Sequence, residues 1–166
     1  MDKYYYLIAS LPLLKFTEAP FLSGTSFITE AKKWLSPDDF AILSKVDINN
    51  FLIDEKDTPL LKKWKECEYL MRRELAFFRR AKREGAEYKI GKDLTSIIQE
   101  GSNPLEIEIK LLGTRWNFLS EQEVEHFFDL DSLIIYYLKL QILERLVSFD
   151  KEKGKQRFEI YSAVEL

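Results

Sequence analysis

"NPLEIEIKLLGTRWNFLSEQEVEHFFDLDSLIIYYLKLQILER", residues 103–145, decides the fold. Asn103, Pro104 and Glu106 spell a helix start. The Asn103 side chain can accept an orphan amide, proline surrenders an N–H the helix would not use, and the acid suits the positive end. Behind it, Leu105, Ile109, Leu112, Trp116 and Leu119 fall on one apolar stripe at helical spacing; Ile107, Leu111 and Phe118 form a second. From Leu130 onward the chain is apolar nearly all round, through Leu133, Ile134, Ile135, Tyr137, Leu138, Leu140, Ile142, Leu143, Leu146 and Val147. A helix of that kind belongs inside a body.

Charges interrupt both helices. Glu108 and Arg115 lie between the apolar stripes of the first, and Lys139 shares a side with Ile135 and Leu143 in the second. An isolated charge in such surroundings is costly to desolvate, so partners are expected. The economical pairing is an interhelical network in which Glu108 or Glu106 meets Lys139 and Arg115 meets Glu144.

The same punctuation recurs outward from this segment, with Ser36 before Pro37 and Thr58 before Pro59. Helices are expected at about 26–35, 37–46, 59–84, 93–100, 104–119 and 130–148, with Gly85 and Gly101 as stops. Residues 4–11 and 154–164 read equally as strand or helix. The expected architecture is all-α: a compact multi-helix bundle forming one domain over 1–166, with lobes at 1–100 and 101–166 as the alternative division.

Composition agrees with a packed body. With 46% apolar and 14% aromatic residues among 166, a core can form without disulfide staples. Cys67 is the only cysteine, which fits a reducing compartment. The apolar start "MDKYYYLIASLPLL" lacks the basic region and cleavage site of a signal peptide. Lys139, Glu144 and Arg145 cut the longest apolar run short of a membrane span. The expectation is a cytoplasmic chain, at most peripheral on the cytoplasmic face of a membrane. A net charge of −3 supplies no global attraction for nucleic acid.

One local basic surface stands out. On the helix expected at 59–84, Lys62, Lys65, Arg72, Arg73, Arg79, Arg80 and Arg83 gather away from Leu60, Trp64, Cys67, Leu70, Met71, Phe77, Phe78 and Ala81. At ~1.5 Å per residue the stripe runs about 30 Å. It reads either as a docking surface for an acidic partner or as a solvated face whose long stems cover apolar surface. Aromatics fall on the opposite side of the helix from the arginines, unlike an RNA-binding face.

Chemistry-bearing motifs are sparse. His126 stands among Glu121, Glu123, Glu125, Asp129 and Asp131, but the spacing fits no calcium loop, and no second histidine or cysteine pair supports zinc. Asp129 is better read as the cap of the helix from 130, with Asp131 in its first turn. No G-x-S-x-G and no phosphate loop occur, since "LSGTS" has one glycine and no following lysine. Cys67 reads as a small core hydrophobe. No metal, cofactor or catalytic residue is assigned; a small enzyme using Glu108, Lys139 and His126 is the weaker alternative.

"YYYLIASLPLL", "AKKWLSPDDF" and, above all, Pro104, Glu108, Arg115, Trp116, His126, Phe128, Asp129, Tyr136, Lys139 and Arg145 in their spacing resemble an uncharacterised bacterial domain family. Its members are typically encoded among the subunits of V-type (A/V-type) ATPases. Leu146 stands where that family has an aromatic. The tyrosine-rich start and "YYLKLQILER" are similar in style to the C subunit of those ATPases (called d in eukaryotes), an all-α protein between central stalk and membrane ring. The resemblance implies a non-enzymatic accessory or connecting subunit whose partners are other ATPase subunits, with a transient assembly or regulatory factor as the alternative.

Overall fold

The computed structural model describes residues 4–89, 91–101, 103–149 and 154–156. Among them the regular elements are all helical: α1 (Tyr5–Ser10), α2 (Gly24–Trp34), α3 (Pro37–Leu43), α4 (Pro59–Glu84), α5 (Lys92–Glu100), α6 (Pro104–Glu123) and α7 (Leu130–Ser148). The ambiguous start is therefore a helix, ended where Leu11 turns extended ahead of Pro12. Of the ambiguous tail, 154–156 form a helical turn; 157–164 lie outside the described residues.

Local chemistry places the helix starts. Side-chain oxygens of Ser23, Ser36, Thr58, Asn103 and Asp129 each accept the backbone N–H three residues on. Each such cap is worth about 0.5–2 kcal/mol. Ser23 starts α2 two residues earlier than expected. At the other end of α3, Lys45 and Val46 donate to carbonyls three residues back, and this tight turn stops the helix at Leu43 rather than 46. α6 continues four residues past its expected end, to Glu123.

The two stop glycines work differently. Gly85 closes α4 in the left-handed region at φ 67°, where a side chain is disfavoured. Gly101 has an ordinary φ of −75°, but a Cβ there would lie 2.3 Å from Cγ1 of Ile107. It is needed for close approach, not for its backbone freedom.

α7 is the axis of the body. Leu133, Ile134, Ile135, Leu138, Leu140 and Ile142 are completely buried, and the helix packs against α2, α3, α4 and α6. The main core draws on residues from Tyr4 to Ile142, across the 100/101 boundary. Phe27 brings α2 onto the axis, its ring 5.3 Å from Tyr136 and 5.2 Å from Tyr137. A smaller core of Met71, Leu75 and Leu111 holds α5 through Leu94, Ile97 and Ile98.

α4 is rooted only along its first two-thirds. Leu60, Leu61, Trp64, Met71 and Leu75 are buried, and no residue of α4 beyond Leu75 is. Leu70 and Phe77, expected on the core side, are 44% and 45% exposed. Phe77 lies where the helix projects past the body, and Leu70 lies on the outer side of the rooted part, so helical spacing alone does not bury them.

Tyr136 also ties the N-terminal segment down, donating its hydroxyl to the carbonyl oxygen of Pro12 at 3.0 Å. Burial pushes this phenol up to about 12 from an ordinary 10.0. A folded value above the unfolded one means a contribution fully present below pH ~10 and lost as pH rises through ~12. Tyr136→Phe should therefore flatten part of the fall in thermal midpoint over that window. An unchanged slope in melting curves collected across it would contradict this.

Candidate functional site

The basic stripe of α4 is divided in two by the loop that precedes the helix. Residues 47–57 run along its first half, carrying acids and carbonyls to the cations. Lys65 is 4% exposed and pairs with Asp57 at 2.8 Å. Lys62 donates to the carbonyl of Glu55 at 3.3 Å. Arg72 is half-buried, bonding Glu68 at 3.2 Å and the carbonyl of Ile48 at 3.3 Å with its guanidinium 5.0 Å from the Phe51 ring centre. These three, read from sequence as partner-binding, are engaged within the chain. Lys65 in particular is withdrawn from any surface.

The second half of the stripe stays outside. Arg73, Arg79, Arg80 and Arg83 are exposed. Arg73 lies 5.7 Å from the ring centre of exposed Tyr69, so one aromatic shares the basic side, against the sequence expectation. Arg80 makes an exposed pair with Glu84 at 2.9 Å. A solvated pair of that kind contributes little, about 0–1 kcal/mol. These guanidinia are available.

Behind the stripe lies the polar network, and its pairs differ from the expected ones. Arg115 meets Glu68 of α4, not Glu144: Nε and Nη2 reach the two carboxylate oxygens at 2.6 and 3.1 Å, with the Glu68 side chain 1% exposed. Lys139 meets Glu123, not Glu108 or Glu106, at 2.5 Å, and its ammonium sits 5.0 Å from the Trp116 ring centre. Glu108 instead accepts from Arg145 at 2.9 Å. The antiparallel α6–α7 register explains this, since it sets Glu108 opposite Arg145 and Trp116 opposite Lys139. Glu144 accepts the N–H of Gly24 at 2.7 Å, placing a carboxylate at the positive end of α2. Glu106 accepts from the side chain of Asn103 at 3.1 Å within the α6 cap.

Glu68 and Asp57 were not singled out from sequence, and Glu123 was named only among the acids around His126. For Glu68 a signal existed: it lies four residues after Trp64 and seven before Leu75, on the helix side those two bury. Asp57 and Glu123 carry no comparable local mark.

The histidine cluster is a joint between helices. His126 Nδ1 lies 3.0 Å from Asp129 Oδ2, while Asp129 Oδ1 takes the N–H and hydroxyl of Ser132 at 2.7 and 2.8 Å. Burial pushes the Asp129 carboxyl up, yet Ser132 and His126 together hold it below its ordinary value. For Asp131 burial wins and raises the carboxyl, although the hydroxyl of Thr58, the α4 cap, donates to it at 2.6 Å. Among the described residues no group of three or more His, Cys, Asp and Glu side chains is placed to hold a metal ion.

Several cavities open on these groups. One of about 370 Å³ is lined by His126, Glu123 and Lys139 with apolar residues of 8–14. Glu108 faces a different cavity, of about 210 Å³, with Arg72, Arg79, Arg115 and Arg145. Glu108, Lys139 and His126 are thus not brought together. Cys67 borders a third, beside Glu68 and Arg115; burial pushes its thiol up, away from the reactive thiolate.

These charged groups cluster where α4 meets the α6–α7 hairpin, and a known family takes in the same hairpin. The family described as protein of unknown function (DUF2764) matches residues 81–164, just over half of the chain. The chain belongs to the DUF2764 family. The DUF2764 match takes in the end of α4 and α5–α7, and so Arg115, His126, Lys139 and Arg145; "YYYLIASLPLL" and "AKKWLSPDDF" lie before it. No curated protein and no solved structure matches the chain significantly.

Proposed function

We propose that the chain is a non-enzymatic accessory or connecting subunit of a bacterial V-type ATPase, linking central stalk and membrane ring as a shortened relative of the C/d subunit. The observation that carries this reading is the exposed distal half of α4. It bears Arg73, Arg79, Arg80 and Arg83 on a helix whose root is clamped by the buried Glu68–Arg115 pair. A stiff arm with exposed guanidinia suits an acidic protein surface, because Arg keeps its charge and recognises carboxylates with two parallel bonds. The sequence resemblance supplies the machine to which that surface would belong. Among the described residues no helix is long and apolar enough to cross a membrane, which suits a peripheral place.

The test is purification of the membrane-bound ATPase from the source organism. The chain should co-purify in stoichiometric amount after a high-salt wash; recovery only at low salt marks a transient factor, and absence at any salt refutes the reading. Arg73→Glu with Arg80→Glu should reduce co-purification about tenfold or more, as loss of charge-assisted contacts would. Both side chains are exposed, so the melting temperature should stay within about 2 °C of wild type. Full retention of the double variant would move the contact elsewhere on the protein.

A further inference from the structure

Beside the root of α4, four arginines line the cavity of about 210 Å³: Arg72 and Arg79 from α4, Arg115 from α6 and Arg145 from α7. Two carboxylates answer them. Glu68 takes Arg115 and Arg72, and Glu108, itself on the cavity wall, takes Arg145 at 2.9 Å. Four cations against two anions leave a surplus of two positive charges. Arg79 makes no ion pair among the described residues. Arg115 uses Nε and Nη2 on Glu68, and among the described residues Nη1 makes no hydrogen bond. Leu75, Leu111, Leu112, Ile48 and Asn49 complete the wall.

A single carboxylate would neutralise half of that surplus. A phosphate monoester carries close to two negative charges near neutral pH and offers three acceptor oxygens. Guanidinium forks match that geometry. We propose that this cavity binds one phosphate group as its dianion, as inorganic phosphate or as the monoester of a small molecule, with Arg79 and Arg115 as the principal donors. Glu108 faces the same space, and its pairing with Arg145 limits the repulsion it exerts. The inference needs no partner, and although Arg79 is common to it and the ATPase reading, their tests are separable because Arg73 and Arg80 do not line the cavity.

Calorimetric titration of the whole chain with inorganic phosphate, and separately with a nucleoside 5′-monophosphate, at ionic strength held constant with chloride, tests this. The expected result is saturable binding of one equivalent, with a melting temperature raised by phosphate and not by matched chloride. Arg79→Gln leaves every ion pair of the network in place. It should keep the wild-type melting temperature in chloride and weaken phosphate binding about tenfold or more. Arg83→Gln, outside the cavity, should bind as wild type does. Tighter binding of the nucleotide supports a monoester ligand, and equal or weaker binding supports free phosphate. No saturable binding of either probe, unchanged affinity in Arg79→Gln, or equal loss in both variants would overturn the proposal.

Discussion

Glu68→Ala lowers the melting temperature by on the order of 10 °C. The carboxylate is 1% exposed and takes both Arg115, at 2.6 and 3.1 Å, and Arg72, at 3.2 Å. Its removal leaves the Arg115 guanidinium buried against apolar neighbours with nothing to answer it. Breaking such a pair costs about 3–5 kcal/mol, and a domain of this size loses roughly 2–4 °C for each. The pair itself need not be stabilising, because desolvation of both ions offsets most of their attraction. Glu68→Leu with Arg115→Met should therefore recover most of the loss. Thermal circular dichroism of the two variants separates these effects. A drop below about 2 °C for the single variant would mean that the charge reaches water and that α4 is not clamped by it.

Phe27→Ala has an effect of similar size by a different route. The ring is completely buried between the α7 tyrosines, with centroids 5.3 and 5.2 Å from Tyr136 and Tyr137. Truncation removes the apolar transfer energy and leaves a cavity that α2 and α7 can only partly close, for about 3–5 kcal/mol. Phe27→Leu keeps most of the volume and should cost less than half as much. Urea unfolding at an unchanged m-value would assign both losses to the native state. A small loss for alanine would show that α2 contributes little to holding the axis.

The α6–α7 hairpin shows both how far the sequence reaches and where it stops. Asn103 and Asp129 start their helices as read, and α7 is buried from Leu133 to Leu143 as its all-round apolar character required, although Val147 in its last turn is 41% exposed. That Lys139 and Arg115 are buried and paired was also legible, since a charge between apolar rows must find a partner. Their partners were not. Glu123 lies in a stretch of α6 that the apolar pattern does not reach, and Glu68 comes from another helix entirely. The Glu108–Arg145 pair was within reach, because a connection as short as 124–129 forces antiparallel neighbours.

The candidate surface was half legible in the same way. Helical spacing correctly puts seven cations on a broad side of α4, but spacing says nothing of what else lies there. The loop at 47–57 carries no periodic pattern, yet Asp57 buries Lys65 and Ile48 holds Arg72. Only Arg73 and the end of the stripe past Leu75 escape it.

Helix starts, helix identity and the depth of α7 were determined by the sequence alone, because caps and apolar periodicity act over a few residues of one chain segment. Which carboxylate answers which cation, and which arginines face solvent, a cavity or the interior, was decided only by the tertiary structure. Ion pairs between elements depend on register and on loop paths set by packing of the whole body, and those contacts span tens of residues that no local pattern links.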